Sequence, residues 1–412
     1  MGKFGLLGER LGHSYSPKIH AMLADYEYAL HEKKPDEVEA FLKSGVFDGL
    51  NVTMPYKRAV IPFCTELSAA VSITGNVNTI IRRGDGALFG DNTDYHGFSY
   101  LLCKAGVDVK GKKVIVLGSG GASATVRAVA NAGEARAVVT ISRCGADSYG
   151  NLAKHYDAQI VVNATPVGMY PDNGRAPIEL RRFQVCEAVL DLVSNPLKTE
   201  LLLQAEDMGI SCIGGLHMLV SQAAHASALF ANAGCECVVD AALIDSVAEA
   251  ILHKVRNIAI IGMPGCGKTT VGRQLALATD RKFFDTDELV VQKAGKSVEA
   301  IFTDDGESAF RKLEEDVLRE LSKESECVIA TGGGAVKREA NHRLLRQNSV
   351  IVFLDRAIES LPVEGRPISL LQGAAKIAEE RLPIYNSWCD HKITACADSD
   401  KTVQTVKGLL KL

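Results

Sequence analysis

Short, nearly continuous apolar runs that stop at glycine or at a polar cluster alternate along this chain with longer stretches of helical apolar periodicity. Continuous short runs predict strands covered on both faces, and the longer stretches predict amphipathic helices packed over them. The alternation predicts α/β architecture on parallel sheets. Between residues 2 and 97 the expected strands are 4–7 and 49–52, with helices over 16–28 and 36–43. From 112 to about 213, expected strands at 114–117, 137–141, 160–163 and 189–192 outline a βαβ domain. An alanine-rich, proline-free stretch over 216–254 predicts helix. A second alternation starts at Asn257, with strands at 258–261, 283–285, 327–331 and 350–354. The junction near 254–257 has no glycine-serine linker, so the two halves are expected to be joined closely.

Two of the strands run into glycine turns of different kinds. Gly118-Ser119-Gly120-Gly121-Ala122 follows Val114-Ile115-Val116-Leu117. Glycines there let backbone approach a pyrophosphate, and the next helix supplies N–H donors and a positive dipole end. The third fingerprint position is Ser123, not glycine. The following strand ends in Ser142-Arg143, where an arginine suits a ribose 2′-phosphate, so NADP(H) is expected in preference to NAD. The second turn, Gly262-Met263-Pro264-Gly265-Cys266-Gly267-Lys268-Thr269, fits G-x-x-x-x-G-K-[ST] and continues into Thr270. Its amides would cradle the phosphates of ATP, Lys268 would reach the terminal ones, and Thr269 would ligate Mg2+.

Polar clusters surround each turn. Upstream of the first lie His13-Ser14-Tyr15-Ser16-Pro17, Asn51-Val52-Thr53-Met54-Pro55-Tyr56-Lys57, Asn76-Val77-Asn78-Thr79 and Gly90-Asp91-Asn92-Thr93-Asp94. Hydroxyls, amides, one lysine and one aspartate suit a polyhydroxylated carboxylate, with Lys57 and Asp94 paired beside the reacting carbon. Taken singly, each cluster also suits a turn or a helix cap. Downstream of the second lie Phe284-Asp285-Thr286-Asp287, Phe310-Arg311-Lys312-Leu313-Glu314, Thr331-Gly332-Gly333-Gly334-Ala335, Gly365-Arg366-Pro367 and Arg381-Leu382-Pro383-Ile384-Tyr385. Arginines converging on a small site fit an anionic phosphoryl acceptor.

The first set, together with Asn163-Ala164-Thr165-Pro166-Val167-Gly168-Met169, Asp191-Leu192-Val193-Ser194-Asn195-Pro196 and Gly214-Gly215-Leu216-His217-Met218-Leu219 through Gln222, resembles shikimate dehydrogenase over residues 1 to about 250. The resemblance implies NADPH-dependent reduction of 3-dehydroshikimate with Lys57 and Asp94 as the catalytic pair. It places Ser14 and Ser16 on the carboxylate and Asn51, Thr53, Asn78 and Gln222 on the ring. Thr165, Val193, Gly215 and Met218 would border the cofactor. Ser194 stands where the family commonly has tyrosine and His217 where it has glycine, which implies altered affinity or pH response, not lost chemistry.

The second set resembles shikimate kinase over about 257–396. That resemblance implies that Asp287, Arg311, Arg381 and the Gly333-Gly334 backbone bind shikimate. Asp285 would support Mg2+, and Arg366 would close over the phosphates from a lid that is short here. Weaker nucleotide binding or slower closure is expected from the shortening. Together the resemblances imply an α/β chain with a shikimate-binding domain at 1–97, a Rossmann NADP domain at 98–214, a closing helical segment at 215–254 and a P-loop kinase domain at 257–412. The product of the first site would be the substrate of the second. A regulatory protein without turnover, or a dehydrogenase with an impaired kinase half, remains the alternative; the charged groups needed for turnover are all present in the sequence.

Bulk composition narrows the partners. Of 412 residues, 47% are hydrophobic and 23% charged, with net charge −4, so nothing in the balance argues for nucleic acid or an anionic membrane. Small-molecule substrates are the expected partners. Eleven scattered cysteines without metal-knuckle spacing, and no apolar run of about 18 residues, fit a cytoplasmic enzyme with reduced thiols. Oligomeric state is left open.

Overall fold

The computed structural model describes residues 2–12, 14–235, 238–361, 373–396 and 398–412. Three sheets carry the fold. The first contains β1 (Lys3–Gly8), β2 (Glu27–Glu32), β3 (Gly49–Val52), β4 (Glu66–Leu67), β5 (Thr79–Arg82) and β6 (Leu88–Asp91), in the order β2-β1-β3-β5-β6-β4. It is mixed, not parallel throughout. The β3–β5 and β5–β6 pairs are antiparallel, because only Arg83–Ala87 separates β5 from β6, too few residues for a crossover.

Two expected helices are corrected. The helix expected over 16–28 stops at Leu23, and its last two residues, Glu27 and Tyr28, begin strand β2. Ala24 is extended, and β2 pairs only with β1 as an edge strand, so its half-buried side chains lack a long apolar run. The helix expected over 216–254 is two, Leu216–Ala231 and Ala241–Val255. Ala233 (φ +50°) and Gly234 (φ +87°) take left-handed backbone, which ends the first helix without a proline.

The second sheet is parallel: β7 (Lys113–Leu117), β8 (Ala137–Ile141), β9 (Ile160–Asn163), β10 (Ala188–Asp191) and β11 (Ser211–Gly214), ordered β11-β10-β9-β7-β8. The third is also parallel: β12 (Asn257–Ile261), β13 (Lys282–Asp285), β14 (Cys327–Ala330), β15 (Ser349–Asp355) and β16 (His391–Thr394), ordered β13-β14-β12-β15-β16. In each parallel sheet the chain reverses its direction of travel beside the first strand, β7 or β12. A crevice opens there at the strands' carboxyl ends, the place where such sheets bind ligands. The apolar runs that predicted these strands are buried: β9, β10, β12 and β14 are covered along their whole length.

The chain packs into two compact units. One comprises Met1–Met169, Arg175–Asn195 and Gln204–Leu252, and holds the first two sheets. The other comprises Tyr170–Gly174, Pro196–Leu203 and His253–Leu412, and holds the third. Among the described residues no helix is long and apolar enough to cross a membrane.

Candidate active sites

In the first unit the carboxyl ends of β3 and β6 and the amino end of β5, which runs antiparallel to both, converge on one polar cluster. Lys57 Nζ donates to Asp94 Oδ2 at 2.5 Å, with side-chain exposures of 19% and 10%, so the pair is sheltered but still reaches solvent. Asp94 opens the helix Asp94–Lys104, and its N–H donates to Asn92 Oδ1 at 3.1 Å. Asn92 is fully buried and donates through Nδ2 to Thr74 Oγ1 and Asn76 Oδ1 at 2.8 and 3.0 Å. Thr93 N donates to Asn78 Oδ1 at 2.7 Å, while Asn78 Nδ2 donates to Thr93 Oγ1 at 3.1 Å. A buried network with its partners supplied is rigid, and this one fixes the turn that carries Asp94.

The substrate-side residues of the sequence reading belong to the same neighbourhood. Asn51 Nδ2 donates to Thr79 Oγ1 at 3.2 Å, and Tyr28 OH donates to Asn51 Oδ1 at 2.8 Å. Tyr28 stacks on buried His20 at 3.9 Å between centroids; burial pushes the His20 pKa down to about 3, so that ring is neutral. Ser16 N donates to Ser14 Oγ at 3.2 Å, and the Thr53 N–H is taken by Leu7 O. Gln222 lies on the helix Leu216–Ala231, which crosses Asp94–Lys104 closely: a methyl group on Gly97 would stand 2.9 Å from Met218 O and 3.2 Å from Gln222 Cβ. Gln222 and Met218 are thereby placed one helical turn from Asp94.

The glycine turn after β7 faces this cluster. Gly118 has φ +103°, and a methyl group there would stand 2.9 Å from Thr165 Cγ2, so only glycine is tolerated. Ser119 and Gly120 are exposed, Gly120 caps the helix Gly121–Ala132, and Ala122 lies in its first turn. A methyl group on Gly121 would lie 3.6 Å from Lys57 Cδ, which brings the helix N-terminus to the Lys57–Asp94 pair. Thr165 is tied to Asn163, whose Nδ2 donates to Asp191 Oδ1; Val193 N donates to the same carboxylate. Gly215 N donates to Val193 O, and any side chain on Gly215 would collide with Leu192 O. Ser142 is buried and Arg143 is exposed at the end of β8, open to an anionic group. An exposed arginine beside a glycine turn with bare helix amides is the donor set that a phosphorylated dinucleotide requires. His217 is half-buried, and burial with Lys104 lowers its pKa against the pull of Asp245 and Glu249.

In the second unit a cavity of about 680 Å³ opens beyond β12, β13, β14 and β15. Pro264, Gly265, Gly267, Lys268, Thr269 and Thr270 form one wall. Gly262, Gly265 and Gly267 all have positive φ, as a loop curled around phosphates needs. Buried Lys268 donates through Nζ to Gly262 O and Met263 O, each at 2.9 Å, holding the loop closed; Cys266 is buried beneath it. Thr269 Oγ1 donates to Asp285 Oδ2 at 2.7 Å. Asp285 Oδ1 also accepts from Asp287 N at 2.9 Å, capping the helix Thr286–Ala294. A hydroxyl and a carboxylate oxygen in contact are hard donors of the kind Mg2+ takes beside phosphates and water.

The opposite wall is built for an anion. Arg311 Nη1 donates to Glu314 Oε2 at 2.8 Å, and its Nε and Nη2 reach Glu307 Oε1. Gly334 packs directly under the Arg311 guanidinium, and a methyl group on Gly332 would stand 2.6 Å from both Asp287 Oδ1 and Glu314 Oε1. Arg381 Nη1 and Tyr385 OH both donate to Gly333 O. Buried Arg381 Nε and Nη2 and Glu314 Oε1 have no hydrogen-bond partner among the described residues, so the wall keeps polar capacity for a ligand. Burial raises the Asp287 pKa, and Asp285 adds to the effect against Lys268 and Arg311. Burial pushes the Glu314 carboxyl up to about 7, against the pull of Arg311.

The residues named from the sequence lie on the elements around the two glycine turns, except Arg366, which lies outside the described residues. Sequence reasoning missed Tyr28, Asn92 and Thr93 as supports, Glu314 as the inner partner of Arg311, and Arg356, Ser297 and Phe302 as cavity lining. Glu314 sits in a charged helical run whose sequence reads as a solvated face, and no local signal marks it as buried.

Comparisons with known proteins agree with this division. Residues 6–80 match the family model for the shikimate dehydrogenase substrate binding domain, and residues 264–410 match that for shikimate kinase. A shikimate dehydrogenase (NADP(+)) of Clostridium perfringens is 35% identical over 251 residues, covering 56% of this chain and 92% of its own length. The crystal structure of shikimate dehydrogenase 1 from Peptoclostridium difficile superposes with a TM-score of 0.57 at 31% identity, over 61% of this chain and 98% of that one. The Thermus thermophilus shikimate 5-dehydrogenase, solved with NADP(H) and shikimate, gives 0.54 at 30% identity, over 61% and 99%.

Proposed function

This chain belongs to the shikimate dehydrogenase family and carries a shikimate kinase domain behind it, a bifunctional shikimate-pathway enzyme, and from that premise we propose how its own residues perform two consecutive steps. The first reduces 3-dehydroshikimate to shikimate, and the second phosphorylates shikimate to shikimate 3-phosphate. The observation that carries the reading is the presence of two complete polar walls, each facing its own glycine turn.

At the first site, NADPH bound along Gly118–Ala122 supplies the hydride. The reacting carbonyl lies between the helix N-terminus and Lys57. As the carbonyl oxygen gains negative charge, the Lys57 ammonium stabilises it and delivers a proton, while Asp94 orients the ammonium and a ring hydroxyl. The solvent-reaching edge of the pair restores the proton. Ser14 and Ser16 hold the carboxylate, and Asn51, Thr53, Asn78 and Gln222 hold the ring hydroxyls. Thr165, Val193, Gly215 and Met218 shape the nicotinamide side, and Ser142 with Arg143 receives the 2′-phosphate.

At the second site, Arg311 and Arg381 hold the shikimate carboxylate against the Gly333-Gly334 backbone, and Asp287 orients the acceptor hydroxyl and takes its proton. Lys268 and the loop amides neutralise charge on the transferred group. Thr269 and Asp285 would hold Mg2+, which would supply charge neutralisation for the ATP phosphates. Positioning and charge neutralisation supply the acceleration. The residue groups correspond to domains at 1–97, 98–214 with the closing segment 215–254, and 257–412, in a cytoplasmic protein.

A paired assay on the purified chain tests this reading. It follows NADPH oxidation with 3-dehydroshikimate, then ADP formation with shikimate and ATP, with NADH run in parallel. Absence of either activity would remove that half of the proposal, and a preference for NADH would remove the role given to Arg143.

The raised Asp287 and Glu314 pKa values have a kinetic consequence. Both carboxylates must be ionised for the acceptor wall to work, yet burial favours their neutral forms. As pH falls toward and below about 7, Glu314 takes up a proton and Arg311 loses its charged inner partner. Kinase kcat/KM for shikimate should therefore fall on an acid limb above the ordinary carboxylate range, and the two groups titrate as a coupled system. Glu314→Gln should lower the activity and flatten that limb. An unchanged pH profile in the variant would show that Glu314 does not titrate in the working range.

A further inference from the structure

The kinase cavity contains one cation that the reading above leaves without a task. Arg356 lines the same 680 Å³ cavity as the phosphate loop, one residue beyond the end of β15. It forms no hydrogen bond or ion pair with any described residue. The other basic residues of the cavity are committed: Lys268 to two loop carbonyls, Arg311 to Glu314 and Glu307, and Arg381 to Gly333 O. The nearest acid in sequence is also taken, because Asp355 pairs with Lys392 at 3.0 Å.

Sheet order shows which ligand Arg356 faces. The strands run β13-β14-β12-β15-β16, so their carboxyl ends present Asp287, then Gly332-Gly333-Gly334, then the phosphate loop, then Arg356. Asp287, Arg311 and Gly332–Gly334 of the acceptor wall lie on the β13–β14 side of the loop, where Arg381 reaches Gly333 O from the helix Ala374–Trp388, and Arg356 lies at the end of β15. Close packing holds it there: a methyl group on Gly262 would stand 2.5 Å from Leu354 O, two residues before Arg356. An arginine whose planar fork is unpaired among the described residues, half-exposed in a cavity and next to a glycine loop of the phosphate-binding kind, matches a polyphosphate oxygen in charge and geometry.

We propose that Arg356 is a nucleotide-binding residue of the kinase site, contacting the ATP polyphosphate from the side opposite the shikimate wall. The proposal rests on the kinase reading given above and adds a residue to it. Arg356 completes the ring of positive charge around the phosphates, with the loop amides and Lys268 on one side and its guanidinium on the other.

Steady-state kinetics on the full chain tests it with R356A, R356Q and R356K. In R356A and R356Q the KM for ATP should rise roughly tenfold or more, the fold-change of one lost charge-assisted hydrogen bond, while the KM for shikimate holds at the wild-type value. Titration with ADP alone should show the same loss of affinity. R356K keeps the charge and loses the fork, so it should recover part of the ATP affinity. An unchanged KM for ATP, or equal rises for both substrates, overturns the proposal. Failure of R356K to recover any affinity while its melting temperature matches wild type would also overturn it, because a charge contact must respond to charge. A wild-type chain that never phosphorylates shikimate would sink the kinase reading instead, a result separate from any outcome with the variants.

Discussion

Replacing Lys57 by alanine should lower kcat/KM for NADPH-dependent reduction of 3-dehydroshikimate by roughly 10²–10⁴-fold, the range for loss of a positioned general acid. The expectation follows from the geometry of the pair. Lys57 Nζ meets Asp94 Oδ2 at 2.5 Å in a sheltered position, and the Gly121 turn that would present the cofactor lies against the lysine stem. Nothing else cationic among the hydrogen-bonded groups of that cluster can take over, since Asn51, Asn78, Asn92 and Thr93 are neutral and committed to one another. Asp94→Asn should cost less, because an amide still orients the lysine but no longer balances its charge. Kinase activity in the same Lys57→Ala sample should stay at the wild-type level. Reduction that persists near wild-type rate would remove Lys57 from the chemistry, and joint loss of both activities in a folded protein would contradict independent sites.

Lys268→Ala should produce the complementary result: ADP formation with shikimate and ATP reduced by roughly 10²–10³-fold, with dehydrogenase kcat/KM unchanged. Lys268 has two tasks in the structure. Its ammonium ties Gly262 O to Met263 O across the loop, and it is the charge closest to where the terminal phosphates would sit. Alanine removes both, so ATP binding should weaken along with turnover. Shikimate binding, which the proposal assigns to Arg311, Arg381 and Gly333 on the far wall, should survive and can be followed by calorimetry. Retention of shikimate affinity with loss of phosphorylation assigns the effect to the phosphate side. A phosphorylation rate close to wild type would leave the loop lysine without its role.

Both predictions depend on residues that the sequence announced, and the reason is local. A glycine-rich turn between a strand and a helix must have its strand, glycines and N-terminal helical residues adjacent in sequence, so Gly118–Ala122 and Gly262–Thr270 are legible without a fold. Parallel strands buried on both faces are also legible, because burial forces a continuous apolar run, as in Ile258-Ala259-Ile260-Ile261. Edge strands and antiparallel turns leave weaker marks. β2, with one paired edge and half-buried side chains, begins inside a stretch whose pattern suits a helix, and β5 and β6 lie beside polar clusters. The break between Ala231 and Ala241 rests on two left-handed residues, which an alanine-rich composition conceals.

The sequence by itself determined that this chain holds two glycine turns after strands, one of dinucleotide and one of P-loop kind, and the lysines, aspartates and arginines proposed to serve them. Those are contiguous motifs, and local backbone geometry ties each residue type to its task. Only the tertiary structure decided which of those charges meet. It set Lys57 against Asp94 across 37 residues of chain and placed Asp287 and Glu314 around Gly332. It also buried Glu314 until its carboxyl pKa rose to about 7, and left Arg356 facing the cavity without an acid among the described residues. Desolvation and pairing depend on what surrounds a group in space, and no stretch of neighbouring letters records that.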